Sequence, residues 1–168
     1  MKIFLIGLPG SGKTTTGKLL AEKLKLPFVD LDFEIEKSEG KSINQIFELR
    51  KENYFRDAES MMLIKFCASS ENFVMSTGGG APCFHDNMKK MNDSGKTIFL
   101  DVSAKEIADR LEKSNLAERP LFAKLSPDQL KDKIEFLRSQ RISFYKQAHF
   151  IFKGGEVPVA KMVAAITG

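Results

Sequence analysis

The clearest chemical pattern in the sequence is the run from Gly7 to Thr14, which reads Gly-Leu-Pro-Gly-Ser-Gly-Lys-Thr. It fits G-x-x-x-x-G-K-[ST], the pattern of a phosphate-binding loop. Its glycines let backbone N–H groups turn inward around an anion, where a Cβ would obstruct the phosphates. Lys13 supplies a positive charge for the β- and γ-phosphates, and Thr14 supplies a hydroxyl for a phosphate-bound Mg²⁺. The alternative is a glycine-rich turn without a nucleotide.

Two more polar clusters, Asp30-Leu31-Asp32 and Thr77-Gly78-Gly79-Gly80, each follow a short apolar run. Two carboxylates spaced i, i+2 project the same way while the chain is extended. One can then hold Mg²⁺ through water, and the other can accept a proton or a hydrogen bond from a substrate hydroxyl. The alternative is a helix N-cap followed by a first-turn acid. Three consecutive glycines let the backbone approach a ligand closely, unless they only form a strand-to-helix turn.

Three arginines complete the candidate set, because arginine binds carboxylates and phosphates with two parallel hydrogen bonds. Arg56 lies three residues before Glu59, on the same face of a predicted helix, so Glu59 can orient it. Arg119 lies in the polar segment 112–125, whose weak periodicity and length are typical of a mobile lid. Arg141 lies on a long late helix. Each arginine taken alone is better explained as a solvated surface charge, so only the joint pattern indicates a site.

Strands and helices alternate along the chain. Lys2–Ile6 is an apolar run of strand type, and Lys13–Leu24 has the pattern of a helix with Leu19, Leu20 and Leu24 on one side. The other predicted strands are 27–30, 73–76, 97–100 and 150–152. The other predicted helices are 32–38, 43–66 with a break near Asn53, 86–92, 104–111, 127–146 and 157–166. Capping boxes at 42–45 and 126–129 begin two of these helices.

This alternation predicts an α/β fold with a parallel sheet covered by helices on both faces. In such sheets ligands gather at the carboxyl ends of the strands. The phosphate-binding loop, the two aspartates and the triple glycine all follow predicted strands. We therefore expect them to meet at one edge of the sheet.

Length and composition indicate one soluble globular domain spanning 1–168, with 42% hydrophobic residues. The net charge of +4 is mild and both signs are interleaved, which favours anionic ligands and argues against nucleic acid. No apolar run approaches the roughly 18 residues that would cross a membrane. A cleaved signal peptide would remove the phosphate-binding loop, so none is predicted. We therefore expect a cytoplasmic protein with no membrane partner.

The remaining residues of chemical interest are interpreted as structural. Cys67 and Cys83 are expected to be inert thiols in a reducing compartment. His85 and His149 have no partner at metal or triad spacing. The 14 phenylalanines are expected to form the core.

The ordered set of motifs resembles the shikimate kinase family over nearly the whole chain. The matching motifs are Gly7–Thr14, Asp30–Asp32, Phe55-Arg56 with Glu59, Thr77–Gly80, Arg119-Pro120-Leu121, and Arg141 with Tyr145. The resemblance implies a three-layer α/β/α P-loop kinase with a five-stranded parallel sheet. It also implies a helical substrate-binding segment at about 31–61 and a mobile lid at about 112–125. The implied reaction transfers the γ-phosphate of ATP to the 3-hydroxyl of shikimate, in aromatic amino acid biosynthesis, and the implied enzyme is a monomer.

The resemblance also assigns roles to individual residues. The implied ATP-binding positions are Gly10, Ser11, Gly12, Lys13, Thr14, Thr15, Arg110 near the adenine, and Arg119 of the lid. The implied shikimate-binding positions are Asp32, Arg56, Gly78, Gly79, Gly80 and Arg141, with the two arginines on the carboxylate. The implied catalytic residues are Lys13, Asp32 and Arg119. Mg²⁺ is the implied cofactor, held by Thr14 with Asp30 in its outer shell. Asp32 is either a general base or a group that positions the hydroxyl.

Three other functions remain open at this point. A kinase for gluconate or a nucleoside monophosphate would share the phosphate-binding loop and the sheet. A non-catalytic nucleotide-binding regulator is disfavoured because Lys13, Asp32 and Arg119 are all present. A nucleic-acid-binding protein is disfavoured because no basic stripe with interleaved aromatic residues is found.

Overall fold

The computed structural model describes residues 1–113, 122, 125–155 and 158–168. Its strands are β1 (Lys2–Ile6), β2 (Phe28–Asp30), β3 (Phe73–Ser76), β4 (Lys96–Asp101) and β5 (Phe150–Lys153). Its helices are α1 (Lys13–Leu24), α2 (Leu31–Glu39), α3 (Ile43–Ala68), α4 (Asn87–Ser94), α5 (Ala104–Glu112), α6 (Pro127–Tyr145) and α7 (Val159–Thr167), with a short 3₁₀ turn at Ala81–Cys83. The five strands form one parallel sheet in the order β2-β3-β1-β4-β5.

Successive residues of β1 enter two separate apolar clusters. Ile3 and Leu5 pack in a cluster that includes side chains of α1 and α7. Phe4 and Ile6 pack in a larger cluster with side chains of α3, α4, α5 and α6. Because neighbouring strand residues point to opposite faces, these clusters lie on the two sides of the sheet. The predicted three-layer α/β/α fold is confirmed.

Local capping accounts for where two long helices begin. Ser42 and Ser126 each accept a hydrogen bond from the backbone N–H three residues on. The side chains of Gln45 and Gln129 accept a bond in return from the serine N–H, so both predicted capping boxes are confirmed. The predicted break in α3 is also present, at Lys51 (φ 69°, ψ 173°), two residues earlier than expected.

The buried face of α1 differs from the predicted one. Leu20 is fully buried, and Gly17 and Ala21 lie on the same buried face, whereas Leu19 is 49% exposed. Adjacent residues of an α-helix are rotated by about 100° from one another, so Leu19 points away from the face that holds Leu20. The prediction that these two leucines share one face was wrong.

The phenylalanines divide between the core and the surface. Phe4, Phe73 and Phe99 are buried, as expected. Phe33 and Phe136 are exposed by 60% and 53% of their surface, so the prediction that the phenylalanines form the core was wrong for them.

Two further predictions concern a membrane-spanning helix and a lid over the site. Within the described residues, no helix combines the length and the apolarity needed to cross a bilayer. The predicted lid at 112–125 falls mostly outside the described residues, and so does its arginine, Arg119.

Candidate active site

The phosphate-binding loop connects the end of β1 to α1, the arrangement that its motif requires. Gly10 and Gly12 have φ values of 83° and 90°, in the left-handed region that glycine adopts without strain. Lys13 is 8% exposed, and its Nζ donates hydrogen bonds to the carbonyls of Gly7 and Leu8, each at 2.9 Å. The loop therefore holds its lysine ammonium against the backbone that would surround a phosphate.

Oxygen ligands from three elements meet beside this loop. Thr14 Oγ1 lies 3.4 Å from Asp30 Oδ2 and 3.4 Å from Ser76 Oγ. Asp30 also caps α2, since its Oδ1 accepts from the backbone N–H groups of Asp32 and Phe33. The alternative interpretation, a helix N-cap followed by a first-turn acid, is therefore confirmed for Asp30 and Asp32, since α2 begins at Leu31 and the chain is not extended there. The other oxygen of Asp30, Oδ2, faces Thr14.

Asp32 and Glu59 present carboxyl oxygens to the same point. A Cβ on Gly78 would lie 2.8 Å from Glu59 Oε1 and 3.1 Å from Asp32 Oδ1. Both of these oxygens are buried and have no hydrogen-bond partner among the described residues. Burial, and then the nearby charge of Asp30, raises the pKa of Asp32 to about 6. Asp32 Oδ1 itself faces Gly78 and Glu59, but the residue lines the cleft beside the phosphate-binding loop, where a carboxyl group with a raised pKa can accept a proton.

Glu59 is fully buried and pairs with Arg56, as its position in α3 predicted. Arg56 Nη1 donates to Glu59 Oε2 at 2.7 Å, and Arg56 is also paired with Glu52 at 3.3 Å. Burial raises the pKa of Glu59 to about 7, although the Arg56 charge acts to lower it. Glu59 therefore holds Arg56 in place through a buried hydrogen bond, which becomes an ion pair when Glu59 loses its proton near pH 7.

We expect the unliganded protein to lose stability relative to a Glu59→Gln variant as the pH rises from about 4.5 to 7. Folded Glu59 keeps its proton up to about pH 7, whereas the unfolded chain releases it near its ordinary value. The folded state binds more protons in this window, so its stability falls as the pH rises. The change should be on the order of 2–3 kcal/mol, since one pKa unit corresponds to about 1.4 kcal/mol.

Thermal unfolding of both proteins across this pH range measures the effect. Glu48→Gln is the matched control for the loss of a glutamate from the same helix, because Glu48 lies exposed and outside the cleft. A difference in Tm between wild type and Glu59→Gln that stays constant with pH would contradict the prediction.

The triple glycine is explained by the side chains around it. The space that a Cβ would take at Gly80 is occupied by the guanidinium of Arg56, with Nη2 2.5 Å away. At Gly79 the Cβ would lie 2.7 Å from Pro9 and 3.2 Å from Arg141 Nη1. Tyr145 donates a hydrogen bond from its hydroxyl to the Gly79 carbonyl at 2.5 Å. Any larger residue here would displace groups of the site itself.

Most of these groups line one cleft of about 690 Å³. The predicted site residues in its wall are Gly10, Gly12, Lys13, Thr14, Thr15, Asp30, Asp32, Arg56, Gly78, Gly79, Gly80, Arg110 and Arg141. Ser11 is buried behind the loop, 3% exposed, and its backbone N–H donates to the carbonyl of Leu8. Arg110 donates to the Gly155 carbonyl at 2.7 Å and pairs with Glu106.

Sequence reasoning missed some of the cleft's wall, including Phe47 and Ser76. Ser76 pairs in register with Asp30 at the carboxyl ends of neighbouring strands. Its place as the last residue of a predicted strand was a signal that would have found it. Phe47 had no such signal, because its contact with the cleft depends on how α3 packs.

The phosphate-binding loop follows the first strand of the parallel sheet and faces a pocket that contains arginines and a buried carboxyl group. This arrangement is that of a P-loop kinase. The family model described as shikimate kinase matches residues 9–167. The chain belongs to the shikimate kinase family, whose members are ATP-dependent kinases.

Individual relatives agree with this assignment. Shikimate kinase of Bacteroides thetaiotaomicron is 45% identical over 157 residues, covering 94% of this chain and 89% of the relative. The crystal structure of shikimate kinase from that organism matches with a TM-score of 0.90 at 40% identity, covering 98% of this chain and 95% of the other. A structure of shikimate kinase from Acinetobacter baumannii in complex with shikimate matches with a TM-score of 0.85 at 30% identity, covering 98% and 89%.

Proposed function

We propose that this protein transfers the γ-phosphate of ATP to the 3-hydroxyl of shikimate, giving shikimate 3-phosphate and ADP in aromatic amino acid biosynthesis. One observation carries the proposal: Asp32, whose carboxyl has a raised pKa, lines the same cleft as the phosphate-binding loop and the arginines Arg56 and Arg141. The acceptor therefore needs a hydroxyl for the carboxyl group and an anionic group for the arginines. Shikimate carries both.

The nucleotide would lie on the phosphate-binding loop. The backbone of Gly10–Thr15 and the ammonium of Lys13 would bind its phosphates, aided by the positive end of α1. Arg110, whose Nη1 lies 3.5 Å from the Cβ position of Gly12, would lie near the base. Arg119, outside the described residues, would reach the phosphates from the lid.

Mg²⁺ is proposed as the cofactor because the chemistry of the available ligands suits it. Thr14 Oγ1, Asp30 Oδ2 and Ser76 Oγ are all oxygen ligands, the type that Mg²⁺ prefers. Thr14 would hold the ion directly and Asp30 through water. The described residues contain no cluster of three or more histidine, cysteine or acidic side chains for a metal, so the ATP phosphates would supply further ligands. When bound, the ion neutralises charge on the phosphates.

The acceptor would lie between Asp32 and the arginines. Arg56 and Arg141 would bind the shikimate carboxylate, and the backbone of Gly78–Gly80 would approach its ring. Asp32 would accept a hydrogen bond, or the proton, from the attacking hydroxyl. With a pKa raised to about 6, Asp32 is ionised near neutral pH and is a stronger base than an exposed aspartate.

Catalysis would then come mainly from positioning and from neutralisation of charge. Lys13 and Arg119 would stabilise the negative charge on the transferring phosphoryl group. Closure of the proposed lid at 112–125 over the proposed substrate-binding segment at 31–61 would exclude water, so that ATP is not hydrolysed.

Coupled ADP release tests the function directly. The purified protein is given ATP and Mg²⁺ with shikimate, quinate, gluconate, AMP or CMP in turn. Turnover with shikimate alone is expected. Turnover with gluconate or a nucleotide would support the proposed ATP site but assign a different acceptor. ATP binding without turnover of any acceptor would indicate a regulator.

We expect Arg56→Ala and Arg141→Ala to raise the KM for shikimate by about 10- to 100-fold, the range for a hydrogen bond to a charged group. Each variant removes one guanidinium from the proposed carboxylate site, whereas the KM for ATP should change little. Steady-state kinetics with either substrate varied measures both effects. Arg50→Ala is the matched control, since Arg50 lies exposed on α3 outside the cleft. A normal shikimate KM in both variants would reject the carboxylate role.

We further propose that residues 1–168 act as a single-domain monomer in the cytoplasm. A single domain is supported because elements from the two ends of the chain pack together: β1 and β5 lie in one sheet, and α7 packs with α1. The free thiols of Cys67 and Cys83 suit a reducing compartment. Light scattering after size-exclusion chromatography would test the monomer, and cell fractionation would test the location.

A further inference from the structure

Arg56 is surrounded by groups that differ in kind. The carboxylates of Glu59 and Glu52 accept its N–H groups at 2.7 Å and 3.3 Å. Phe84 contributes an aromatic ring whose centroid lies 4.4 Å from Arg56 Cζ, the shortest cation-to-ring contact among the described residues. The ring of the preceding residue, Phe55, lies farther away, at 5.1 Å. A guanidinium over an aromatic face at this distance is attracted to the ring, and more strongly so when water is excluded. The side chain of Arg56 is only 10% exposed, so its guanidinium is largely shielded from water, whereas Phe84 is 36% exposed.

The backbone that presents Phe84 adopts an unusual conformation. Phe84 follows the 3₁₀ turn Ala81–Cys83, and the next two residues, His85 and Asp86, have φ values of 50° and 56°. Two consecutive non-glycine residues in the left-handed region are unfavourable and persist only where surrounding contacts impose them. One such contact joins His85 Nε2 to Asp57 Oδ1 at 3.0 Å, and Asp57 is the residue after Arg56.

Buried hydrogen bonds attach the same loop to α3. Ser60 Oγ donates to Asn87 Oδ1 at 2.8 Å, and Asn87 Nδ2 donates to the Ala81 carbonyl at 3.0 Å. An exposed hydrogen bond from Lys90 Nζ of α4 to the His85 carbonyl, at 2.6 Å, also holds the loop. Asn87 is fully buried. The loop that carries Phe84 is therefore held to the part of α3 that carries Arg56 by contacts of His85 with Asp57 and of Asn87 with Ser60.

We propose that Phe84 is a positioning residue for the carboxylate-binding arginine Arg56, an assignment that rests on the proposed function. The ring covers the guanidinium and limits its rotamers, so that the donors not used by Glu52 and Glu59 are aimed into the cleft before substrate arrives. An arginine oriented in advance loses less conformational freedom when it binds a carboxylate. Removing the aromatic face weakens shikimate binding and leaves ATP binding as it was.

The test compares Phe84→Leu, which keeps an apolar side chain but has no aromatic face, with Phe84→Tyr, which keeps the face. Phe84→Leu should raise the KM for shikimate by about tenfold, equivalent to about 1.4 kcal/mol. The kcat and the KM for ATP should stay within about twofold of wild type, and Phe84→Tyr should restore the shikimate KM. Phe136→Leu is the matched control, since Phe136 is 53% exposed on α6 outside the cleft and should leave all constants unchanged.

A double-mutant cycle separates positioning of Arg56 from a general structural role. In an Arg56→Met background, Phe84→Leu should change kcat/KM for shikimate by less than about twofold, because the group it positions is gone. A tenfold loss in both backgrounds, or an unchanged shikimate KM in Phe84→Leu while wild type is active, would overturn the inference alone. Absence of shikimate turnover by wild type would overturn the proposed function, and this inference with it.

Discussion

Replacement of Asp32 by asparagine is expected to lower kcat with shikimate by about 10³-fold, within the range found for general acid–base groups. Asp32 lines the cleft beside the phosphate-binding loop, and burial raises the pKa of its carboxyl group to about 6, so the group is suited to take up the proton of a substrate hydroxyl. Asparagine has nearly the same shape but cannot take up the proton. The KM for ATP should stay close to its wild-type value, because the proposed nucleotide contacts lie on the phosphate-binding loop.

Single-turnover and steady-state kinetics of Asp32→Asn measure the effect, with nucleotide binding followed separately by calorimetry. Asp132→Asn is the matched control, since Asp132 lies exposed on α6 and away from the cleft. Retention of full activity would show that Asp32 is not the base. A loss of only a fewfold would favour the alternative that Asp32 positions the hydroxyl, because the asparagine carbonyl can still accept a hydrogen bond.

Replacement of Arg119 by alanine is expected to lower kcat by roughly 10³ or more, by analogy with arginine fingers. The residue lies outside the described residues, so this expectation rests on the family resemblance and on the charges in the cleft. The transferring phosphoryl group is strongly negative, and Lys13 contributes only one positive charge from the protein side. A second cation arriving with the lid would act mainly in the transition state, so the shikimate KM should change much less than kcat.

An Arg119→Lys variant tests whether charge alone is sufficient, and it should recover only part of the loss because lysine lacks the planar, bidentate donor group. Arg50→Ala serves again as the surface control. An unchanged kcat in Arg119→Ala would remove this residue from the mechanism and leave neutralisation to Lys13 and the metal.

Local sequence patterns predicted much of the fold. The bounds of β1, α1 and β3 agree with the structure, and both capping boxes are present. These elements are specified within a few residues, by apolar periodicity and by caps. The 3₁₀ turn at Ala81–Cys83 was not predicted, because three residues are too few to show a period. The position of Leu19 was predicted wrongly, because an apolar side chain is not always buried and Leu19 lies on a different side of α1 from Leu20.

By itself, the sequence determined the phosphate-binding loop, the α/β class and the ion pair between Arg56 and Glu59, because each depends on spacing along one segment. Only the tertiary structure decided which side chains occupy the space beside each residue of the triple glycine. It also decided that the ring of Phe84 covers the guanidinium of Arg56. It also brought the buried carboxyls of Asp32 and Glu59 to one point and raised both of their pKa values. The physical reason is that these contacts join elements distant in sequence. Their distances follow from the order of the strands and the packing of α2, α3 and α6 on the sheet, which no local spacing encodes.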